Sequence, residues 1–173
     1  LSQPYDTVRL LEYSTKAPAF NPLSLYAGEF ATDLRFGDDI ELLSFVARND
    51  NPYKAGETVE FSLRWQSSAR LDISYTVATF IASADTGGPI AQGWDTVPQA
   101  GFTPTSEWTP NAPLWDNRAI RLPLGTPPGD YRLWVLLYYR DGDGGEIKRL
   151  PVSGVDVAGD DDIGVLPFTF TVE

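Results

Sequence analysis

The 173-residue sequence predicts an all-β sandwich, because turn-forming residues recur at short intervals and the segments between them alternate like strands. Fifteen glycines and 14 prolines interrupt the chain at short intervals, and helical periodicity is almost absent. Between these interruptions lie short segments rich in β-branched and aromatic residues that alternate with polar ones. The hydrophobic content of 42% is sufficient for a packed core without a metal or a disulfide.

The clearest predicted strand covers residues 57–66, where apolar and polar side chains alternate strictly. Its apolar face carries Val59, Phe61, Leu63 and Trp65. Residues 39–48 form the predicted preceding strand, with Ile40, Leu42 and Phe45 directed inward. These two segments therefore predict one face in the core and one face in water.

Further strands are predicted over residues 73–84, 89–97, 116–122, 130–140, 146–152 and 165–173. The proline-rich stretch 98–113 is predicted to be a long ordered loop. The strand spacing favours an immunoglobulin-like sandwich of seven to nine strands over residues 34–173. A jelly roll is the alternative, since it also combines many strands with long loops.

Residues 1–33 are predicted to stand apart, with a strand over residues 7–13. We expect an N-terminal extension or the tail of a preceding domain, or alternatively a segment that wraps the sandwich. One of the two faces of the strand over residues 130–140, which carry Trp134 and Tyr138 on one side and Leu133, Val135, Leu137 and Tyr139 on the other, is a predicted contact for it. The chain starts at Leu1 and contains no methionine, so we expect that it was cleaved or excised from a longer protein.

The composition excludes several classes of function. A formal charge of −11 argues against nucleic acid and anionic lipid as partners. The absence of histidine and cysteine excludes disulfides and the commonest nucleophilic machinery, and no cofactor motif occurs. A carboxylate pair remains conceivable for catalysis, but 24 acidic residues make such a pair uninformative, so we predict no enzyme. The longest apolar run, residues 133–139, is far shorter than the roughly 20 residues of a membrane span, which leaves a membrane-anchored parent protein open.

Several motifs occur in a familiar order. These are FGDDIELL at 36–43, AGETVEFSLRWQ at 55–66, YTV at 75–77, WTP at 108–110 and PGDYRL at 128–133, continued to LYY at 137–139. Over residues 34–173 the chain resembles the C-terminal soluble β-sandwich domain of bacterial multi-pass membrane glycosyltransferases of the protein-mannosyltransferase type. It is also similar to free-standing, uncharacterised relatives of that domain.

The resemblance implies an accessory domain on the outer face of the membrane, without chemistry of its own. The catalytic residues of such enzymes lie in their membrane portion, so no catalytic role transfers to this chain. We therefore predict an extracytoplasmic, non-catalytic interaction domain of an envelope-associated protein, which contacts a protein or a glycan. A carbohydrate-binding module is the alternative.

The candidate ligand-binding residues are Trp94, Trp108 and Trp115, in or beside the proline-rich loop. An exposed indole can stack on a sugar ring, provided that hydrogen-bonding side chains lie beside it. The same stretch offers Gln99, Asn111, Asp116, Asn117 and Arg118. The competing interpretation, which we favour, is that the rings cap one end of the core. Two exposed tryptophans on one surface would favour sugar binding. We expect Trp108 buried and one of the others partly exposed.

Two further features have structural explanations. The acidic residues of loop 141–146 and of 160–162 suggest a calcium site, but the EF-hand spacing is missing, and a solvated hairpin turn is favoured. We therefore predict no metal. Tyr131 follows the turn at 126–129, as the tyrosine of a corner motif does, and its hydroxyl should bond to nearby backbone.

Overall fold

Two antiparallel sheets pack face to face in the computed structural model, which describes residues 28–48, 50–142, 145–159 and 161–173. Twelve strands occur in these residues. Seven have four or more residues and five have only two or three, which is why the total exceeds the predicted seven to nine. The strand predicted over residues 7–13, like the rest of residues 1–27, lies outside the described residues.

Sheet A has the strand order β10-β2-β3-β4-β7, with β1 beside β3. Its members are β1 (Glu29–Ala31), β2 (Arg35–Phe36), β3 (Ile40–Ala47), β4 (Thr58–Ser67), β7 (Leu114–Arg121) and β10 (Val152–Ser153). Because β1 pairs with β3, sheet A includes residues that precede residue 34.

Sheet B has the order β11-β12-β8-β5-β6, with β9 beside β8. Its members are β5 (Thr76–Ser83), β6 (Pro89–Gln92), β8 (Gly129–Arg140), β9 (Ile147–Arg149), β11 (Val157–Ala158) and β12 (Ile163–Val172). A 3-10 helix at Thr105–Glu107 lies in the long loop before β7.

The order of the longer strands is immunoglobulin-like. In chain order, β3, β4, β5, β6, β7, β8 and β12 occupy the places A, B, C, C′, E, F and G, so that A-B-E faces C′-C-F-G. Tyr131 lies near the start of strand F, and its hydroxyl donates to the carbonyl oxygen of Pro127 over 2.7 Å. This is the predicted tyrosine corner, and it fixes the turn between β7 and β8. The predicted all-β sandwich is confirmed.

The predicted alternation of β4 is also confirmed. Val59, Phe61, Leu63 and Trp65 are fully buried, and the Trp65 ring meets the Phe36 ring edge-on at 5.3 Å between centroids. In β3, a bulge between Leu42 and Ser44 shifts the register by one residue. This shift is the reason why Phe45, three positions after Leu42, still faces the core.

Some predicted boundaries were wrong. The strand predicted over residues 73–84 begins at Thr76, and the one predicted over 89–97 ends at Gln92. The predicted return strand 146–152 is divided between the two sheets. Its first part, β9, pairs with β8, whereas Val152 pairs with Phe36 of β2 in the opposite sheet. No helix in the described part of the chain is long and apolar enough to cross a membrane.

Candidate functional site

The three candidate tryptophans occupy three different environments. Trp94 is 73% exposed, Trp108 is 4% exposed and Trp115 is half-buried. The expected burial of Trp108 is confirmed, and one tryptophan is largely exposed. The condition of two exposed tryptophans on one surface is not met, which favours the interaction domain over the carbohydrate-binding module and leaves Trp94 as the exposed candidate.

Trp108 has the structural role that the core-capping interpretation gives it. Its ring belongs to the hydrophobic core, and its indole N–H donates to the carbonyl oxygen of Thr103 over 3.3 Å. Nearby, the buried hydroxyl of Thr105 accepts from the amide of Tyr75 and donates to the carbonyl oxygen of Ile73. These bonds tie the proline-rich loop to the end of the sandwich.

Trp115 lies on the outer face of sheet A. It is directly opposite Arg64 of β4, whose guanidinium carbon lies 5.6 Å from the centroid of the indole ring. A cation over the ring face is a favourable contact that occupies part of the indole surface. Trp115 is therefore a cross-strand packing residue of sheet A.

Trp94 follows β6, on a segment whose backbone is held against the core. The amide of Gly93 donates to the carbonyl oxygen of Thr79 over 2.8 Å. A β-carbon at residue 93 would lie 2.6 Å from the hydroxyl of Thr79 and 3.2 Å from Ile120. Any larger residue would have to displace Thr79 or the backbone, so the chain lies close against the core immediately before the exposed indole.

Arg118 holds the other side of this segment. Its guanidinium donates to the carbonyl oxygens of Trp94 over 3.0 Å and Thr96 over 3.1 Å, and to that of Val77 in β5 over 3.3 Å. The side chain is only 5% exposed, although it belongs to an edge strand of sheet A. Arg118 therefore crosses between the two sheets and fixes the carbonyl of Trp94 while the Trp94 ring faces water.

Asp116 holds Arg118 in the position from which Arg118 binds the Trp94 segment. One carboxylate oxygen accepts from Nε of Arg118 over 2.8 Å, and the other accepts from the amide of Gln99 over 2.7 Å. Burial raises the pKa of Asp116, and the neighbouring Arg118 charge opposes that shift. The buried Nε1 atom of Trp65 has no hydrogen-bond partner among the described residues.

The backbone is strained at residues 99 and 100, in the loop that follows the Trp94 segment. Gln99 and Ala100 both have φ of 56°, which is unfavourable for residues other than glycine. The bond from Gln99 to Asp116, together with a second from the Gln99 side chain to the carbonyl oxygen of Trp115 over 3.0 Å, holds this conformation. Strained backbone that is fixed by buried groups is common at binding sites.

A cluster of polar side chains is centred on Asp95, the residue that follows Trp94 in sequence, and we call it the Asp95 cluster (Gln92, Asp95 and Tyr138). The Gln92 amide donates to one Asp95 carboxylate oxygen over 2.8 Å, and the Tyr138 hydroxyl donates to the other over 3.1 Å. Burial, and then the adjacent Asp95 charge, raise the pKa of Tyr138, so its hydroxyl stays protonated at neutral pH.

The predicted set of sugar-binding polar residues was partly wrong. Asp116 and Arg118 face the core and are committed to each other, and the Asn117 side chain accepts from Ser62 over 2.5 Å. The alternation of β7 could have indicated this, because Asp116 and Arg118 share a face with buried Ile120. The Asp95 cluster had no sequence signal, since Tyr138 comes from another strand.

A second feature with charged residues is an open cleft of about 680 Å³ at one end of sheet A. It is lined by Arg48, Asp50, Pro52, Tyr53, Gly56, Glu57, Thr58, Glu60 and Arg121. Within it, Arg48 pairs with Asp50 at 2.7 Å and with Glu60 at 3.2 Å, and Arg121 donates to the Gly56 carbonyl. Because these charges are engaged within the cleft wall, the Trp94 surface is the stronger candidate.

The acidic loop predicted as a hairpin connects β8 and β9. Asp141 pairs with Lys148 at 2.6 Å, and this hydrogen bond lowers the pKa of Asp141. Asp162 pairs with Arg149 at 3.0 Å. Among the described residues, which exclude Asp143, Gly144 and Asp160, no group of three or more acidic side chains is arranged to hold a metal ion.

Comparison with known proteins gives the chain no family. No protein-family model matches the sequence, and no curated protein matches it.

Proposed function

We propose that this chain is a non-catalytic interaction domain that works at the cell envelope and contacts its partner through Trp94. The observation that carries the proposal is the anchoring of Trp94. Its backbone is bound by a buried arginine, and its ring is 73% exposed. Tryptophan is among the residue types that contribute most to binding at protein interfaces, and here its backbone is anchored while its ring is open to a partner.

The accessory role rests on two further arguments. The chain lacks the histidine and cysteine of common catalytic sites, and the buried carboxylate of Asp116 is committed to Arg118. The motif order resembles the appended domain of membrane glycosyltransferases, which supports a place outside the cytoplasm and a parent protein that is membrane-anchored.

Co-sedimentation with the insoluble envelope fraction of the source organism tests this function. We expect the purified chain to be retained by the envelope fraction. Trp94→Ala should lower its affinity for that fraction by about tenfold, because loss of a central aromatic contact costs about 1.4 kcal/mol of binding free energy or more. Leu124→Ala is the matched control, because Leu124 is also exposed, at 82%, on a turn outside the Trp94 segment. Equal retention of the wild type and Trp94→Ala, or no retention of the wild type, would refute the proposal.

A further inference from the structure

The backbone of the Trp94 segment is bound to the core on both sides, whereas the ring of Trp94 is exposed. Gly93 is pressed against Thr79 on one side, and Thr96 forms a bridge with Val77 on the other. Between them, the carbonyl of Trp94 is bound by Arg118. Exposing the ring forgoes the free energy that its burial would supply. The arrangement therefore anchors the backbone that carries an exposed indole.

The surroundings of Trp94 indicate the chemistry of its ligand. Asp95, adjacent in sequence, is held by Gln92 and Tyr138, which come from β6 and β8. Each Asp95 carboxylate oxygen accepts one of these bonds and keeps further acceptor capacity. Gln92 is exposed, so its amide also offers a carbonyl oxygen and a second N–H to a ligand. The exposed indole is thus followed directly in sequence by a carboxylate whose neighbours offer donors and acceptors to a ligand.

We propose that Trp94 and the Asp95 cluster form a binding site for one ring of a neutral sugar chain; this inference rests on the proposed interaction function. The C–H face of a pyranose stacks on an indole, and adjacent hydroxyls of the ring donate to a carboxylate or phenol oxygen and accept from an amide N–H. Trp94 supplies the stacking surface. Asp95, Gln92 and Tyr138 supply the polar contacts.

Charge and surroundings favour a neutral sugar over the other ligand classes. The net charge of −11 and the Asp95 carboxylate disfavour uronic acids, phosphosugars and nucleic acid. A tryptophan at the centre of a protein interface is usually surrounded by contacts that exclude water. Here its neighbour in sequence is instead a carboxylate at the centre of a polar cluster. With a single stacking ring, the affinity for a short oligosaccharide should be weak, with a Kd on the order of 1 mM.

Titration with defined sugars, followed by NMR of the indole N–H groups, tests the site. The five tryptophans give five indole signals, and Trp94→Phe assigns the one of interest. Neutral manno-, gluco- and N-acetylglucosamine tetrasaccharides are the probes. At least one should shift the Trp94 signal in a saturable manner, and Asp95→Ala should weaken that binding by about tenfold. Phe102→Ala is the control, since Phe102 is exposed to a similar extent, at 69%, and should bind the sugar as the wild type does.

Two results would overturn the sugar site. One is the absence of any saturable shift with all three probes at tens of millimolar. The other is a shift that persists unchanged in Asp95→Ala. Treatment of the envelope fraction separates this outcome from failure of the interaction function. Retention that is lost after periodate oxidation of glycans supports the sugar site. Retention that survives periodate and is lost after protease refutes the sugar site and leaves the interaction function standing.

Discussion

Arg118 donates from Nε to the carboxylate of Asp116 over 2.8 Å, in the interior of a sandwich where both side chains are almost completely buried. Two buried charges that pair in this way seldom stabilise a fold more than apolar residues of the same size would. Their specific effect here is positional, because the remaining Arg118 donors bind the carbonyls of Trp94 and Thr96. The ion pair therefore connects the core to the exposed segment that we propose as the binding surface.

Trp65→Ala should strongly destabilise the fold. The ring is fully buried between the sheets and packs against Phe36, so its removal leaves a large cavity. We expect a loss of about 3–5 kcal/mol in the free energy of unfolding, measured by urea denaturation. A loss below about 1 kcal/mol would mean that β4 does not face the core as described.

This prediction depends on a feature that the sequence shows directly, whereas other features of the structure required the three-dimensional fold. Strict alternation in β4 identifies Trp65 as buried, because a single strand contains all of the information. The alternation in β3 fails after Leu42, since a bulge shifts its phase. The segment predicted as one strand over residues 146–152 pairs with sheet B through β9 and with sheet A through Val152, and no local sequence pattern indicates this change of sheet.

The sequence likewise indicates one part of the candidate site and not the rest. Trp94 was identified as a candidate from its place beside the proline-rich loop. Its anchor was overlooked, because charged residues in a predicted strand suggest a solvated face. The Asp95 cluster joins residues 43 positions apart in sequence, so only the pairing of the strands could bring it together.

Gly93→Ala should disturb the Trp94 segment. The added methyl group would lie 2.6 Å from the Thr79 hydroxyl, so the backbone or Thr79 must move. We expect a destabilisation of about 1–3 kcal/mol, the usual effect of inserting a methyl group into a tightly packed position. Gly125→Ala is the matched control: a β-carbon there meets nothing within 4 Å, and stability should hardly change. Equal thermal denaturation curves for the two variants would argue against this packing.

The titration of Asp116 should make the free energy of unfolding depend on pH. Burial raises the pKa of Asp116 in the folded state above its unfolded value of about 3.9, so the folded state binds the proton more tightly. The contribution of this group is therefore greatest below the unfolded pKa and is lost as the pH rises through the folded pKa.

Asp116→Asn removes that titration. The free energy of unfolding of the wild type minus that of the variant should fall as the pH increases from about 4 towards neutrality, measured by denaturant titration at each pH. An increase of this difference over the same range would show that the pKa is lowered instead.

Calcium should have little effect on stability. In the described part of the acidic hairpin, Asp141 is engaged by Lys148, and the core of the sandwich provides packing without a metal. Addition of millimolar calcium, or of a chelator, should leave Tm unchanged within error. A rise of several degrees with calcium would establish a binding site in the acidic loops.

As the proposed contact residue, Trp94 should have a backbone that is held in place while its ring is exposed, and ¹⁵N relaxation of its backbone amide measures this most directly. We predict an order parameter of about 0.85 for residues 93–96, equal to that of β5, because Arg118 and the Thr79 carbonyl fix this segment. Arg118→Met should lower the value at Trp94. An order parameter below about 0.6 in the wild type would contradict the account, because the ring would then be carried by a flexible loop.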